Sequence, residues 1–274
     1  MNELFKNDRN FNDEIIKQRH MFVAEHNDLI TKADHDLTAN ELKVMDLVIS
    51  KIKPTDDDFY EVDTSLYEIA NVFDLKRSGK TYNNIANALR SLRAKEVLIY
   101  SKNSRAVTIT GWLERAIIEE NGQVSIRINE QFAPFLLDLT SDYTQYRLID
   151  TVQLDSKYSI RLYKLMREAD KRRGKITPVI KGSPDEIADM LSAPESYNWS
   201  RLKQNVLDRA INEINLKIED MELELYTQKR GRRVVEVEIH NTFYPRKSNL
   251  HDDDFEPVPM INWIKDINKN LPPC

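Results

Sequence analysis

Cysteine and glycine are scarce in this sequence of 274 residues, and their scarcity excludes several kinds of site. The only cysteine is Cys274, so neither an intrachain disulfide nor a zinc site built from several cysteines can form. The six glycines do not complete a phosphate loop of the Gly-x-x-x-x-Gly-Lys-Ser/Thr type, whose backbone cradles a nucleotide. We therefore expect no cofactor and no bound metal ion.

Long apolar stretches are missing as well. The N-terminus has no basic start followed by an apolar segment, and the uncharged apolar runs are too short to cross a bilayer. We therefore expect a cytoplasmic protein without a membrane partner. Hydrophobic residues make up 41% of the chain and charged residues 31%, which is typical of a globular protein, and the length fits two domains.

Positive charge is not in excess, yet it is concentrated. The formal net charge is -5, but the window from Lys76 to Arg105 holds eight Lys and Arg residues and a single acid, Glu96. Acidic residues collect elsewhere, for example at positions 56–58 and 252–254. An acidic protein can therefore present a local basic surface to nucleic acid, although a solvated surface of mixed charge would give the same pattern.

Two series of predicted elements follow the same order. Thr38 and Glu41 form a capping box at the start of one helix, and Ser183 and Glu186 form another, with Pro184 at the first helical position. In each half, an amphipathic helix, a short strand, a short helix and a longer helix precede a hairpin with a basic tip.

The two series also match in sequence. The segment 68–73 corresponds to 186–191, and an aromatic residue opens the next helix fourteen residues on in the first half, at Tyr82, and thirteen in the second, at Trp199. Matching order, spacing and hairpin chemistry indicate a duplication. We predict an α+β fold of two tandem winged-helix domains related by an internal pseudo-repeat. In each domain the third helix meets the DNA major groove, and the hairpin, or wing, lies on the backbone or in the minor groove.

The predicted DNA contacts lie on the two third helices and the two wing tips. Asn, Gln, Arg and Lys can hydrogen-bond base edges, whereas cations at a wing tip more often contact phosphates. An ordinary solvated helix face remains the alternative for each helix. The predicted residues of the first domain are Lys80, Thr81, Asn83, Asn84, Asn87, Arg90, Lys102 and Arg105, and those of the second are Ser200, Arg201, Lys203, Gln204, Asn205, Arg230, Arg232 and Arg233.

Three segments carry a family resemblance. They are Asn27-Asp28-Leu29 leading to Leu37-Thr38-x-x-Glu41-Leu42-Lys43, the segment Tyr158-Ser159-Ile160-Arg161-Leu162-Tyr163-Lys164-Leu165, and Leu207-x-x-Ala210-Ile211-x-Glu213-Ile214-Asn215. With the basic hairpin that follows, the chain resembles the iteron-binding plasmid replication initiators of the Rep type from about residue 27 to residue 243. The Tyr-Ser-x-Arg-Leu-Tyr segment is the most specific of these motifs.

The resemblance implies a function and partners. Family members bind directly repeated iterons at a plasmid origin as monomers to start theta replication, and commonly dimerise through the first domain to repress their own promoter. They recruit the host initiator ATPase and the replicative helicase. We predict a flexible arm at 1–27, a first winged helix at 28–140 for dimerisation and backbone contacts, and a second at 141–244 for reading iterons. The acidic tail at 245–274 departs from the family pattern.

Other functions stay open. A rolling-circle initiator is an enzyme that needs a His-hydrophobe-His metal site, and the five scattered histidines supply no such pair, so we expect no enzymatic activity. A winged-helix transcriptional repressor without initiator activity would use the same domains. A protein-interaction module is a third reading, because winged helices also serve as scaffolds.

Overall fold

The computed structural model describes residues 14–15, 17–53, 56, 61–100, 107–170 and 177–244. The strands are β1 (Phe22–His26), β2 (Ala33–Asp34), β3 (Val62–Ser65), β4 (Glu96–Tyr100), β5 (Val107–Gly111), β6 (Leu113–Ile118), β7 (Gln123–Ile128), β8 (Tyr143–Arg147), β9 (Val179–Gly182), β10 (Met221–Arg230) and β11 (Arg233–Phe243). The helices are α1 (Asn27–Thr31), α2 (Ala39–Ser50), α3 (Leu66–Val72), α4 (Gly79–Ala94), α5 (Ala133–Leu136), α6 (Leu148–Val152), α7 (Lys157–Asp170), α8 (Pro184–Met190), α9 (Trp199–Leu202) and α10 (Asp208–Lys217). A π-turn at Lys203–Leu207 joins α9 to α10. In this part of the chain, no helix is long and apolar enough to span a membrane.

Two helices begin at the predicted capping boxes. The Thr38 hydroxyl accepts a hydrogen bond from the amide of Glu41, and the Glu41 carboxylate accepts one from the amide of Thr38. Ser183 and Glu186 make the same reciprocal pair ahead of α8, with Pro184 at its first position. These pairs satisfy amide groups that have no partner inside the helix. Both predicted helix starts are confirmed.

The second half has the predicted winged-helix arrangement. Strand β9 leads to α8, then to the long helix from α9 to α10, and then to the hairpin of β10 and β11. The three strands form one antiparallel sheet in the order β10-β11-β9. Leu223, Val237 and Ile239 alternate with exposed or half-exposed neighbours along the two hairpin strands and are buried against the helices. The hairpin therefore stands on the same apolar core as the helix that precedes it.

The first half repeats the element order but not the strand pairing. Strand β3 precedes α3 and α4, and the hairpin of β4 and β5 follows, as in the second half. However, β3 pairs with β7 in a separate sheet of order β3-β7-β6, while β2 takes the place beside β4 in a sheet of order β2-β4-β5. The duplication therefore preserves the helices and the wing, and the third strand of the wing sheet comes from a different part of the chain.

The described residues of the N-terminal segment correct part of our prediction of a flexible arm over residues 1–27, of which 1–13 and 16 lie outside the described residues. Residues 22–26 form strand β1, which pairs antiparallel with β8 along its whole length, from Phe22 opposite Arg147 to His26 opposite Tyr143. Val23 is fully buried, so apolar burial holds the strand in place. The predicted boundary between residues 140 and 141 stays a prediction, because the apolar core continues from one half to the other.

Helix α7, which contains the Tyr-Ser-x-Arg-Leu-Tyr motif, connects the two halves through buried charges. The ammonium group of Lys164 lies 2.6 Å from the Asp46 carboxylate of α2 and 3.2 Å from the Glu25 carboxylate of β1. The Tyr146 hydroxyl donates to Glu25 over 2.6 Å. Burial, followed by the nearby Glu25 charge, raises the pKa of Asp46 above its ordinary value, and the Lys164 cation opposes that rise. Lys164 therefore compensates two carboxylates at once.

Arg161 makes a second link one turn earlier. Its guanidinium donates to the Met190 carbonyl at the end of α8, and its Nη1 lies 2.8 Å from Nε2 of His35, which precedes α2. Burial, and then the Arg161 charge, holds the pKa of His35 well below its ordinary value, so the ring is neutral and can accept this hydrogen bond. Ser159 donates to Glu213 of α10 over 2.5 Å. The polar residues of the motif thus act as structural anchors.

Candidate nucleic-acid interface

The second domain has a groove between the start of its long helix and its wing. The groove has a volume of about 840 Å³ and is lined on one side by Asn198 and Trp199, and on the other by Arg230, Arg232 and Arg233. The Asn198 side chain accepts a hydrogen bond from the amide of Arg201 and so caps the helix at the groove. The helix start and the wing tip therefore face one concave surface, where three arginines converge.

The predicted residues of the long helix differ in how freely they can reach a ligand. Ser200, Arg201 and Gln204 are exposed, and Asn205 is partly buried. Lys203 is not free, because its ammonium group donates to both carboxylate oxygens of Asp208 over 2.7 and 2.8 Å. The sequence prediction did not foresee this pair, since residues five apart do not meet on a regular α-helix.

The wing tip is a tight turn that carries only exposed cations. Arg230 and Arg233 face each other across the last rung of the hairpin, which leaves Gly231 and Arg232 as the loop. Gly231 has a φ of +64°, a left-handed conformation that glycine adopts without strain. The two strands continue up to this turn, and all three predicted wing arginines are exposed there. Their side chains are placed where a phosphate backbone can pass.

The outer face of the same sheet has the opposite charge. Glu222 and Glu224 on β10 alternate with the buried residues of that strand, and Glu236 and Glu238 lie on the same face of β11. Lys181 of β9 forms ion pairs with both Glu236 and Glu238 over 2.8 Å. An acidic face repels phosphate, so the basic tip of the wing is the part of this sheet that is suited to nucleic acid.

The first domain presents the predicted face of α4. Lys80, Asn84 and Arg90 are exposed, as are the predicted residues Asn83 and Asn87. Thr81 is already engaged, because its hydroxyl donates to the Lys76 carbonyl over 2.6 Å and its amide donates to the helix-capping Ser78 side chain. Thr81 therefore supports the helix start and is less suited to base contact than its neighbours. The predicted wing-tip residues Lys102 and Arg105 lie outside the described residues.

One exposed cation near α4 was not among the predicted contacts. Arg77 lies over the ring of Tyr67, 4.5 Å from its centroid, and donates to the Asn71 side chain over 3.0 Å. Its place just before the cap of α4 puts it beside the predicted helix face. Arg77 lies in the basic window from Lys76 to Arg105, so the sequence indicated a cation at this place. It did not indicate that Tyr67, 10 residues earlier, would contact the side chain.

Comparison with known proteins identifies these two units. Residues 22–167 match the family described as "Initiator Replication protein, WH1", and residues 183–241 match "Initiator Rep protein, WH2". The chain belongs to the replication initiator family. The resemblance noted in the sequence is thereby confirmed, and the initiator fold consists of two tandem winged-helix domains, as predicted.

Individual relatives of this initiator are distant in sequence. A protein named "Replication initiation protein" from Escherichia coli is 24% identical over 203 residues, which cover 72% of this chain and 62% of that relative. A solved structure described as a Pi initiator protein in complex with iteron DNA has 16% identity and a TM-score of 0.68, and the likeness covers 82% of this chain and 98% of that one. At this identity the structural likeness shows the fold. The matched initiator region begins at residue 22, where β1 begins.

Proposed function

We propose that this chain is a plasmid replication initiator that binds directly repeated double-stranded sites, or iterons, at a plasmid origin. The groove of the second domain carries the proposal, because it brings the start of a winged-helix third helix and three wing-tip arginines to one concave surface. A protein with this fold was solved in complex with iteron DNA, which supports the same ligand here. Nothing in this proposal requires catalysis or a cofactor.

The long helix and the wing have different roles. Arg201 and Gln204, exposed in the first turns of the helix, read base edges in the major groove. The exposed wing arginines neutralise phosphates and fix the register on the duplex. In the first domain, the exposed residues of α4 add contacts to a neighbouring segment of the duplex, and Lys102 and Arg105 are proposed to contact its backbone.

A binding titration tests the proposal. The full chain is titrated against a duplex carrying the direct repeats found beside its gene and against a scrambled duplex, each at two salt concentrations. We expect a strong preference for the repeats that persists as salt rises. Equal and steeply salt-dependent binding to both duplexes would point to a non-specific DNA protein. No binding to either would favour a protein-interaction module.

Replacing Arg232 tests the proposed role of the wing. Arg232→Ala should weaken binding to the repeat and to the scrambled duplex by a similar factor, because a phosphate contact carries no sequence information. The slope of log K against log salt should become shallower by about one, because one fewer counterion is released. Lys181→Ala is the matched control, since it removes one exposed cation from the acidic face of the same sheet. A loss confined to the repeat duplex would show that Arg232 reads bases instead.

The proposal includes a homodimer in equilibrium with the monomer, formed through the first domain. Strand β5 pairs with β4 on one side only among the described strands, and it exposes Val107 and Ile109, the latter to 64%. An unpaired edge with apolar side chains is a ready surface for a second copy. Ile109→Lys should lower the dimer fraction in sedimentation velocity, whereas Leu216→Lys, at an 84% exposed position of α10 in the second domain, is the control. An unchanged dimer fraction would place the interface elsewhere.

An experiment in cells distinguishes an initiator from a repressor. We propose that the DNA-bound chain recruits the host initiator ATPase and the replicative helicase, as the family resemblance implies. A plasmid that carries only this origin should be maintained when the chain is supplied and lost when it is not. Binding to the repeats without plasmid maintenance would favour the alternative of a winged-helix repressor that lacks initiator activity.

A further inference from the structure

The π-turn in the long helix of the second domain places two charged residues together. In a regular α-helix, residues five apart are separated by about 140° around the axis, so their side chains do not meet. In the π-turn the amide of Asp208 donates to the carbonyl of Lys203, five residues earlier. This turn brings the two side chains to the same side, where Lys203 donates to both oxygens of the Asp208 carboxylate.

The pair lies on the surface that the proposed function assigns to DNA. The side chains of Lys203 and Asp208 remain 45% and 40% exposed, and Gln204, next to Lys203, is also exposed. An ion pair with this exposure contributes little to folding, since water screens it and both side chains lose freedom. A carboxylate on this surface also repels phosphate. The pair therefore has a cost for DNA binding and little benefit for stability.

We propose that Asp208 is a specificity-determining positioning residue that holds Lys203 away from the phosphates. A lysine ammonium group is a point charge that binds any phosphate, whatever the sequence. Each phosphate contact adds to non-specific affinity through counterion release. The two carboxylate oxygens of Asp208 bind the ammonium group of Lys203 and keep it from phosphates. Asp208 thereby lowers the affinity for non-cognate DNA more than it lowers the affinity for the repeats. The inference rests on the proposed function and deepens it.

Removal of the carboxylate should tighten binding to the wrong DNA. With Asp208→Ala we expect several-fold tighter binding to a scrambled duplex, a plot of log K against log salt that is steeper by about 0.9, and a smaller ratio of repeat to scrambled affinity. Asp208→Asn should give the same changes, because it keeps the size of the side chain and removes its charge. Structural damage alone would weaken binding to both duplexes.

Two further variants isolate the contact from the change in net charge. Glu219→Ala removes one exposed acid from the turn that follows the same helix. It should give a smaller increase in affinity for the scrambled duplex than Asp208→Ala, without the steeper salt dependence. In a Lys203→Met background, Asp208→Ala should raise the affinity for the scrambled duplex no more than Glu219→Ala does, because the restrained cation is gone. The inference is overturned if Asp208→Ala and Asp208→Asn match Glu219→Ala, or if both weaken binding to the scrambled duplex.

The proposed function and this inference fail in different ways. If the wild-type chain shows no preference for the repeats, the function is wrong, and the salt dependence on scrambled DNA still reports whether Asp208 restrains Lys203. If the wild-type chain prefers the repeats and Asp208→Asn leaves both the preference and the salt dependence unchanged, the function stands and the assignment of Asp208 is wrong.

Discussion

Lys164→Met is expected to lower the free energy of unfolding by about 3 to 5 kcal/mol at pH 7, because it removes the single cation from a buried charge cluster. Glu25 and Asp46 would then lie close together without this cation, and hydrogen bonds from hydroxyl groups such as that of Tyr146 do not compensate two negative charges. Both carboxylates are buried, so their charges cannot be solvated by bulk water. Urea unfolding monitored by circular dichroism measures the effect.

The pH dependence of this loss distinguishes charge from packing. In the variant, Asp46 keeps the burial that raises its pKa and loses the Lys164 cation that opposes the rise, so the folded state takes up a proton more readily than the unfolded chain as the pH falls. The destabilisation should therefore shrink as the pH is lowered towards 5. Lys157→Met is the control, because its ion pair with Asp36 is largely exposed and its loss should cost about 1 kcal/mol or less. Equal losses for the two variants would show that the buried cluster is not decisive.

Arg201→Ala is expected to weaken binding to the repeat duplex by about 1 to 3 kcal/mol and to relax discrimination at the contacted base pair. Arg201 is exposed in the first turn of the long helix, and its amide is fixed by the Asn198 cap. A planar guanidinium group in that position can donate two hydrogen bonds to one guanine edge. Competition titrations with single base-pair replacements in the repeat locate the affected position.

A control variant shows whether the loss depends on position. Arg209→Ala removes another exposed arginine from the same helix, but two turns beyond the groove. It should reduce binding to all duplexes slightly and leave discrimination intact. If Arg201→Ala weakens the repeat and the scrambled duplex equally, Arg201 contacts the backbone and another residue, such as Gln204, reads the bases.

Local signals in the sequence were sufficient for much of the fold. The capping boxes at Thr38 and Ser183 each require only a few neighbouring residues, and the structure has both. The wing of the second domain follows from alternating apolar residues on either side of Gly231, which supplies the left-handed turn. The same signals placed Arg201 and the wing arginines on exposed surfaces of one domain. Short-range chemistry therefore determines these elements.

Long-range pairing could not be obtained in this way. Strand β1 pairs with β8 across more than a hundred residues, and neither strand has a sequence pattern that names its partner. Charged residues posed the same difficulty. Asp46 and Lys43 lie on α2, a helix whose start was predicted correctly, yet both are buried, because other elements cover its polar face as well. Burial of that face depends on the partners and not on the helix itself.

The sequence could not show the π-turn, which affects the site more than the other features that were missed. Val206 and Leu207, which lie in the turn, are both buried, as they would be in a regular helix with a broad apolar face. A single extra residue in one turn leaves the apolar pattern almost unchanged. Its effect is instead on the polar side, where it removes Lys203 from the set of free cations.

The cluster around Lys164 sets an order in time for the maturation of the chain. Synthesis proceeds from the N-terminus, so Asp46 leaves the ribosome 118 residues before the lysine that compensates it. Until then, the nascent first half carries two acids that it cannot bury as charged groups at neutral pH. The first matched unit, residues 22–167, contains this lysine near its end, so the unit cannot complete its folding until almost all of it has emerged. Both halves reach their final packing only after helix α7 has emerged.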